Sequence, residues 1–266
     1  MSFVLKNALK EIGVNYIGNV GHSAKMSASY RNGTMTYCIY LAPWNISGHQ
    51  VCPKGENCHK SCLNYSGREK ISEFSSGRDN RVMRARIAKT NAFYKNRDLF
   101  MLTMIHEIKR YMRKAESMNM EFSVRINGTS DLSPILFKDP ISGKNILELF
   151  PNVQFYDYTK VYNRIKLMEK YPNYDVVFSF DGYNWGECEK FLENGGKVAV
   201  VFYGGLPKTF KGWNVVSGNE YDMRYLDPKQ TIIGLHYHTT ANDYYIDKTT
   251  NKRMFREPNT PFVVKV

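Results

Sequence analysis

The spacing of apolar and polar positions changes character several times along the chain. After an irregular opening, Thr36-Tyr37-Cys38-Ile39-Tyr40-Leu41-Ala42 is dense in β-branched and aromatic residues and is halted by Pro43, which predicts a strand. Gly48, Pro53, Gly55 and Gly67 then break any periodicity and predict irregular backbone. From Asp79 to about Met118 the spacing becomes helical, through Val82, Ile87 and Ala88 and then Phe100, Leu102, Met104, Ile105, Ile108, Tyr111 and Met112. Two helices parted near Asn96 to Asp98 account for it. The methionines and aromatics there read as core positions.

Strand patterns then return at short intervals, at Phe122 to Ile126, Val153 to Tyr158, Asp175 to Phe180, Lys197 to Tyr203 and Thr231 to Tyr237. Helical segments fall between them at Leu147 to Phe150, Val161 to Lys170 and Trp185 to Glu193, the last stopped by Gly195-Gly196. Val176-Val177-Phe178 and Val198-Ala199-Val200-Val201-Phe202 are apolar on both faces, as parallel strands covered by helices are. The expectation is therefore an α/β fold with mostly parallel strands, built as a partial (β/α)6 barrel. One domain spans residues 1–266, with a barrel core over 36–240, a cysteine-bearing loop over 43–68 and an extension at each end.

Loops leaving the C-terminal ends of such strands form the working face. Polar residues gather there: Asn127, Ser130 and Asp131 after the second predicted strand, Asp157 and Lys160 after the third, Ser179 and Asp181 after the fourth, His236 and His238 at the last. Asn127, Ser130, Asp131, Asp157 and Lys160 are the candidate cofactor-binding residues, although Asn-Gly followed by Ser and Asp is also ordinary loop chemistry. His236 and His238 share one strand face, which suits hydrogen bonding at the rim. Arg125, flanked by Val124 and Ile126, needs a partner if buried.

The cysteines narrow the chemistry. Cys52, Cys58 and Cys62 lie on one short segment in the spacing Cx5Cx3C, and Cys38 and Cys188 complete the five. An odd, uneven set fits a disulfide framework poorly and leaves thiols for metal. Structural zinc usually draws four ligands from two knuckles, whereas three thiolates on one loop match a [4Fe–4S] cluster with one iron open to another ligand. Cys188, on the same rim, and His49 and His59, close in sequence, are the other nearby donors. Cys38 and Cys188 read more simply as small buried hydrophobes.

The formal net charge is +12. Much of the excess lies between Arg78 and Lys114, a region that either meets nucleic acid or is a solvated helix face. Lys6 and Lys10 interrupt the apolar residues of the opening, and no stretch is long enough to span a bilayer, so an intracellular, non-membrane protein is expected.

A strand, a three-cysteine loop, helices and further βα units form the order that resembles radical S-adenosylmethionine enzymes. That resemblance implies a cluster whose fourth iron is chelated by S-adenosylmethionine. The loop spacing departs from the usual CxxxCxxC, and Asn127-Gly128-Thr129-Ser130-Asp131 stands where a glycine-rich segment belongs. The phrases around Cys52, Cys58 and Cys62, Arg125-Ile126-Asn127-Gly128-Thr129-Ser130-Asp131 and Tyr156-Asp157-Tyr158-Thr159-Lys160 resemble the bacteriophage gene-product-eighty-eight-like family over most of the chain. This implies a cluster-bearing protein acting in the cytoplasm of an infected bacterium. A redox or binding protein with a small-molecule or redox partner is the leading expectation; a radical S-adenosylmethionine enzyme and a nucleic-acid-binding protein with a structural metal are the alternatives. Whether it is an enzyme stays open.

Overall fold

The computed structural model of the chain describes residues 3–21, 24–59, 62, 81–238, 244–247, 249–250, 252–255, 257–258 and 260–266. In chain order the elements are α1 (Leu5–Glu11), β1 (Gly18–Val20), α2 (Ala24–Arg31), β2 (Thr34–Ile39), α3 (Arg81–Lys95), α4 (Arg97–Ser117), β3 (Glu121–Arg125), α5 (Ile146–Leu149), β4 (Gln154–Thr159), α6 (Ile165–Lys170), β5 (Tyr174–Ser179), α7 (Trp185–Glu193), β6 (Lys197–Tyr203), β7 (Thr209–Phe210), β8 (Trp213–Ser217), β9 (Ile232–His236), β10 (Tyr244–Ile246), β11 (Arg253–Phe255) and β12 (Val263–Lys265).

Local chemistry accounts for several boundaries. The four-residue α5 persists because Asn145 and Glu148 form a capping box, Asn145 accepting from the N–H groups of Leu147 and Glu148 while Glu148 accepts from the Asn145 N–H. The chain leaves α7 through Gly195 at φ +82°, and a Cβ on Gly196 would lie 2.1 Å from the Phe191 ring. Only glycine fits both demands.

The strands β2, β3, β4, β5, β6 and β9 lie side by side in that order, all parallel. These are the six strands expected from the sequence, in sequential order. The observed sheet is larger, a mixed and mostly parallel sheet of ten strands whose two edges do not pair among the described residues. β1 adds antiparallel at one edge, and β8 adds parallel beyond β9, with β7 turning back antiparallel on β8. β5 pairs with the first half of β6 at Lys197 to Ala199, and β12 takes its place beside the second half at Val201 to Tyr203. The sheet is open, and of the four strands beyond the expected six, β1, β7 and β12 have only two or three residues, too short to carry a period, and are placed by their neighbours.

One sheet face carries Tyr37, Ile39, Val124, Phe155, Val176, Phe178, Val198 and Val200 into the main core, where they meet Phe100, Met104 and Ile108 of α4 and Phe191 of α7. Strand alternation sends Ser123, Arg125, Tyr156, Asp175 and Lys197 to the other face, with a small apolar cluster of Val177, Ala199 and Ile233. On α4 the buried Glu107 accepts from the N–H groups of Ile17 and Gly18 and from the Tyr37 hydroxyl at 2.7 Å, tying the edge strand to the core. No helix among the described residues is long and apolar enough to cross a membrane.

Candidate functional site

The cysteine loop leaves the C-terminal end of β2 and folds back over the ends of its neighbours. Trp44 adopts φ +56°, a left-handed conformation costly for a bulky residue. The turn it makes directs its N–H at the Cys52 sulfur, 3.4 Å away, while its carbonyl accepts from the Val51 N–H at 3.0 Å. Gly55 has no room for a side chain, since a Cβ would lie 2.9 Å from the Trp44 ring and 3.1 Å from the Cys52 Cβ. Its carbonyl accepts from the N–H groups of Cys58 and His59, and His59 accepts in turn from Cys62. The imidazole of His59 stacks on Trp44 with centroids 5.0 Å apart. His49, the other nearby histidine, stacks on Tyr94 at 4.1 Å.

Contacts with the rim hold this loop, among them the Cys52 thiol donating to the Thr129 carbonyl at 3.9 Å. Asp131 donates its N–H to the Val51 carbonyl at 2.8 Å, the Thr129 hydroxyl donates to the Leu41 carbonyl, and the Asn57 amide donates to Asp181 beyond β5 at 3.1 Å. All five cysteines are free thiols, and Cys52, Cys58 and Cys62 are half-buried. Burial pushes the Cys52 thiol up to about 12, and the nearby Cys62, Asp131 and Cys58 raise it further against the Trp44 N–H. The three thiols therefore share one electrostatic neighbourhood. Among the described residues, however, no group of three or more His, Cys, Asp or Glu side chains is disposed to hold a metal ion. In kind the three thiols suit a soft metal or cluster, but the described residues do not gather them to hold one.

The expected cofactor-binding residues form a buried network. Asp157 accepts from the Asn127 N–H at 2.8 Å and from its side-chain amide at 2.9 Å. The Asn127 side-chain oxygen accepts from the Ser130 hydroxyl and the Leu132 N–H, and its side-chain amide also donates to the Leu132 carbonyl. Asp131 accepts from the Thr159 hydroxyl and the Lys160 N–H, with Arg164 3.7 Å away. Burial raises Asp131 above the usual carboxylate range and takes Asp157 up to about 7. Lys160 places its ammonium 5.1 Å over the Phe262 ring. Each hydrogen bond closes the rim on itself.

The remaining candidates are dispersed. Cys188 is buried, its thiol 3.6 Å from the Asn184 side chain and pushed up to about 12 by burial. Cys38 is buried inside the sheet. His236 and His238 are exposed. Arg125 finds its partner in Asp222, at 2.9 Å, and Asp222 also accepts from Tyr156 at 3.0 Å. Of the basic region, Arg78 lies outside the described residues; Arg81, Arg84, Lys95, Arg97, Lys109, Arg110, Arg113 and Lys114 are exposed, whereas Arg86 and Lys89 are buried. The sequence offered no sign of Trp44 as a partner of Cys52, because a main-chain donor leaves no trace in residue type.

A family model described as Gene product 88 matches residues 7–255, nearly the whole chain. No curated protein and no solved structure matches it.

Proposed function

The chain belongs to the Gene product 88 family, and from that premise we propose that it is a phage iron–sulfur protein in which Cys52, Cys58 and Cys62 hold a [4Fe–4S] cluster. The observation that carries this reading is the cysteine loop itself: three half-buried thiols on one segment, the first receiving the Trp44 N–H and feeling the other two. Hydrogen bonds to a thiolate sulfur favour its charged, metal-binding form. Bound there, the cluster supplies one-electron transfer. The scaffold is a partial barrel of radical S-adenosylmethionine type, a reading supported by six parallel strands in sequential order. The protein acts in the cytoplasm of the infected bacterium.

Asn127, Ser130, Asp131 and Asp157 hold the rim in place beside the cluster, and Lys160 faces the ligand or redox partner. Because Asn127 and Ser130 spend their polar groups on each other, Asp157 and Leu132, and Asp131 spends its carboxylate on Thr159 and Lys160, a redox or binding role is favoured over cleavage of S-adenosylmethionine. Anaerobic purification with iron and sulfide analysis tests the proposal. The expected result is a brown protein with about four irons per chain, lost in Cys52→Ser; colourless protein, or stoichiometric zinc, overturns it. Release of 5′-deoxyadenosine on reduction with S-adenosylmethionine would move the role to radical catalysis.

The exposed cations of α3 and α4 favour a second reading, a nucleic-acid surface alongside the metal site. Retention of single- or double-stranded DNA that weakens steeply with salt is its expected sign, and no retention at low salt defeats it.

A further inference from the structure

β5 and β6 part before β6 ends. Their pairing stops at Ser179 and Ala199, where the Phe180 N–H also donates to the Ala199 carbonyl, and β6 runs on to Tyr203. In parallel sheets, crevices outside the C-terminal ends of the strands are where ligands bind. Here the chain itself fills the gap: β12 pairs in parallel with Val201, Phe202 and Tyr203, and the Val266 N–H donates to the Tyr203 carbonyl at 2.9 Å.

The gap is shaped for a main chain. Gly182 and Gly204 flank it, both at φ +101°, and a Cβ on either would lie 2.5 Å from a main-chain oxygen, that of Pro261 at one end and of Val266 at the other. Side chains hold less. Val263 is buried, Phe262 and Val264 are half-buried, and Pro261, Lys265 and Val266 are exposed. The Lys160 ammonium lies 5.1 Å over the Phe262 ring, and Val264 packs against the main core. Residues 260–266 therefore meet the rim loops after β4, β5 and β6 at once. The β5 loop also receives the Asn57 amide of the cysteine loop at Asp181, one residue before Gly182.

Three paired residues held chiefly by main-chain bonds form a unit of low local stability, one that opens while the core stays folded. Beneath it, Val201 to Tyr203 offer the edge of β6 turned away from β9. An open strand edge flanked by side-chain contacts is what β-strand addition uses. We propose that residues 260–266 are a releasable strap over an acceptor groove for an extended peptide, and that the opened groove takes a partner strand with an aromatic residue followed by two β-branched ones, the chemistry of Phe262-Val263-Val264. Main-chain bonds to Val201–Tyr203 supply the hold, while the Lys160 ammonium and the core surface under Val264 select the side chains. The groove stands whether or not the cysteine loop holds a cluster.

Amide hydrogen exchange and fluorescence anisotropy on the full chain test it. Amides of residues 263–266 are expected to exchange far faster than those of β9 and of the first half of β6. Val263→Asp, which puts a carboxylate at the buried strap position, and the milder Phe262→Ser should each release the strap while exchange in β9 stays slow. A labelled synthetic peptide with the sequence of residues 260–266 should then bind both variants saturably and the parent chain at least about tenfold more weakly, because the parent's own strap holds the groove. The same peptide with aspartate in place of its first valine should not bind. Strap amides as protected as those of β9, no binding to either released variant, or equal binding to parent and variants overturns the proposal and leaves β12 a fixed part of the sheet.

Discussion

Asn127 is bound to Asp157 twice, through its main-chain N–H and its side-chain amide, so one carboxylate fixes both the path and the rotamer of this residue of the β3 rim loop. Asp157→Ala strips two buried donors of their acceptor. A loss of about 3 kcal/mol is expected, on the scale of leaving buried donors unsatisfied, with Asp157→Asn milder because its remaining oxygen still accepts from the main chain. Urea unfolding midpoints of the two variants check the order.

Asp157 also gives stability a pH dependence. Its folded pKa, raised by burial to about 7, lies above its unfolded value of 3.8. Between those values the unfolded chain gives up the proton and the folded chain keeps it, so this group's contribution falls as pH rises from about 4 to about 7. Lys25 and Lys89, lowered to about 8 from 10.5, act oppositely, because there the unfolded state holds the extra proton and stability rises between about 8 and about 10.5. Denaturation from pH 4 to 10 should show the first slope reduced in Asp157→Asn and the second in Lys89→Met.

Removing Asp222 isolates a buried cation. Asp222→Ala should cost about 3 to 5 kcal/mol, since it leaves Arg125 without its carboxylate. Arg125→Met combined with Asp222→Leu should recover most of that loss, apolar side chains being tolerated where a lone charge is not. A double-mutant cycle on unfolding free energies measures the recovery.

Gly18 is a steric keystone. A Cβ there would sit 2.3 Å from the Tyr37 ring, which its bond to Glu107 holds in place. Gly18→Ala should destabilise by about 1 to 3 kcal/mol. Gly186→Ala, in open space on α7, should be neutral or stabilise by up to about 1 kcal/mol. Paired thermal melts distinguish them.

Much of the scaffold was legible in the sequence. The break between α3 and α4 and the limits of α7 follow from local spacing and glycine chemistry, and the six parallel strands from compact apolar runs. The opening read as irregular holds α1, β1 and α2, because Gly18-Asn19-Val20 is too short to carry a period and becomes a strand only by pairing with β2.

By itself, then, the sequence determined the parallel βα core, the position of the thiol loop on its rim and the need of Arg125 for a counter-charge, since these depend on neighbouring residues alone. Only the tertiary structure decided that the counter-charge is Asp222, 97 residues away, that Trp44 serves Cys52, and that one basic run divides into exposed cations and the buried pair Arg86 and Lys89. Those choices rest on which distant surfaces meet when the sheet is covered, and no local pattern encodes that meeting.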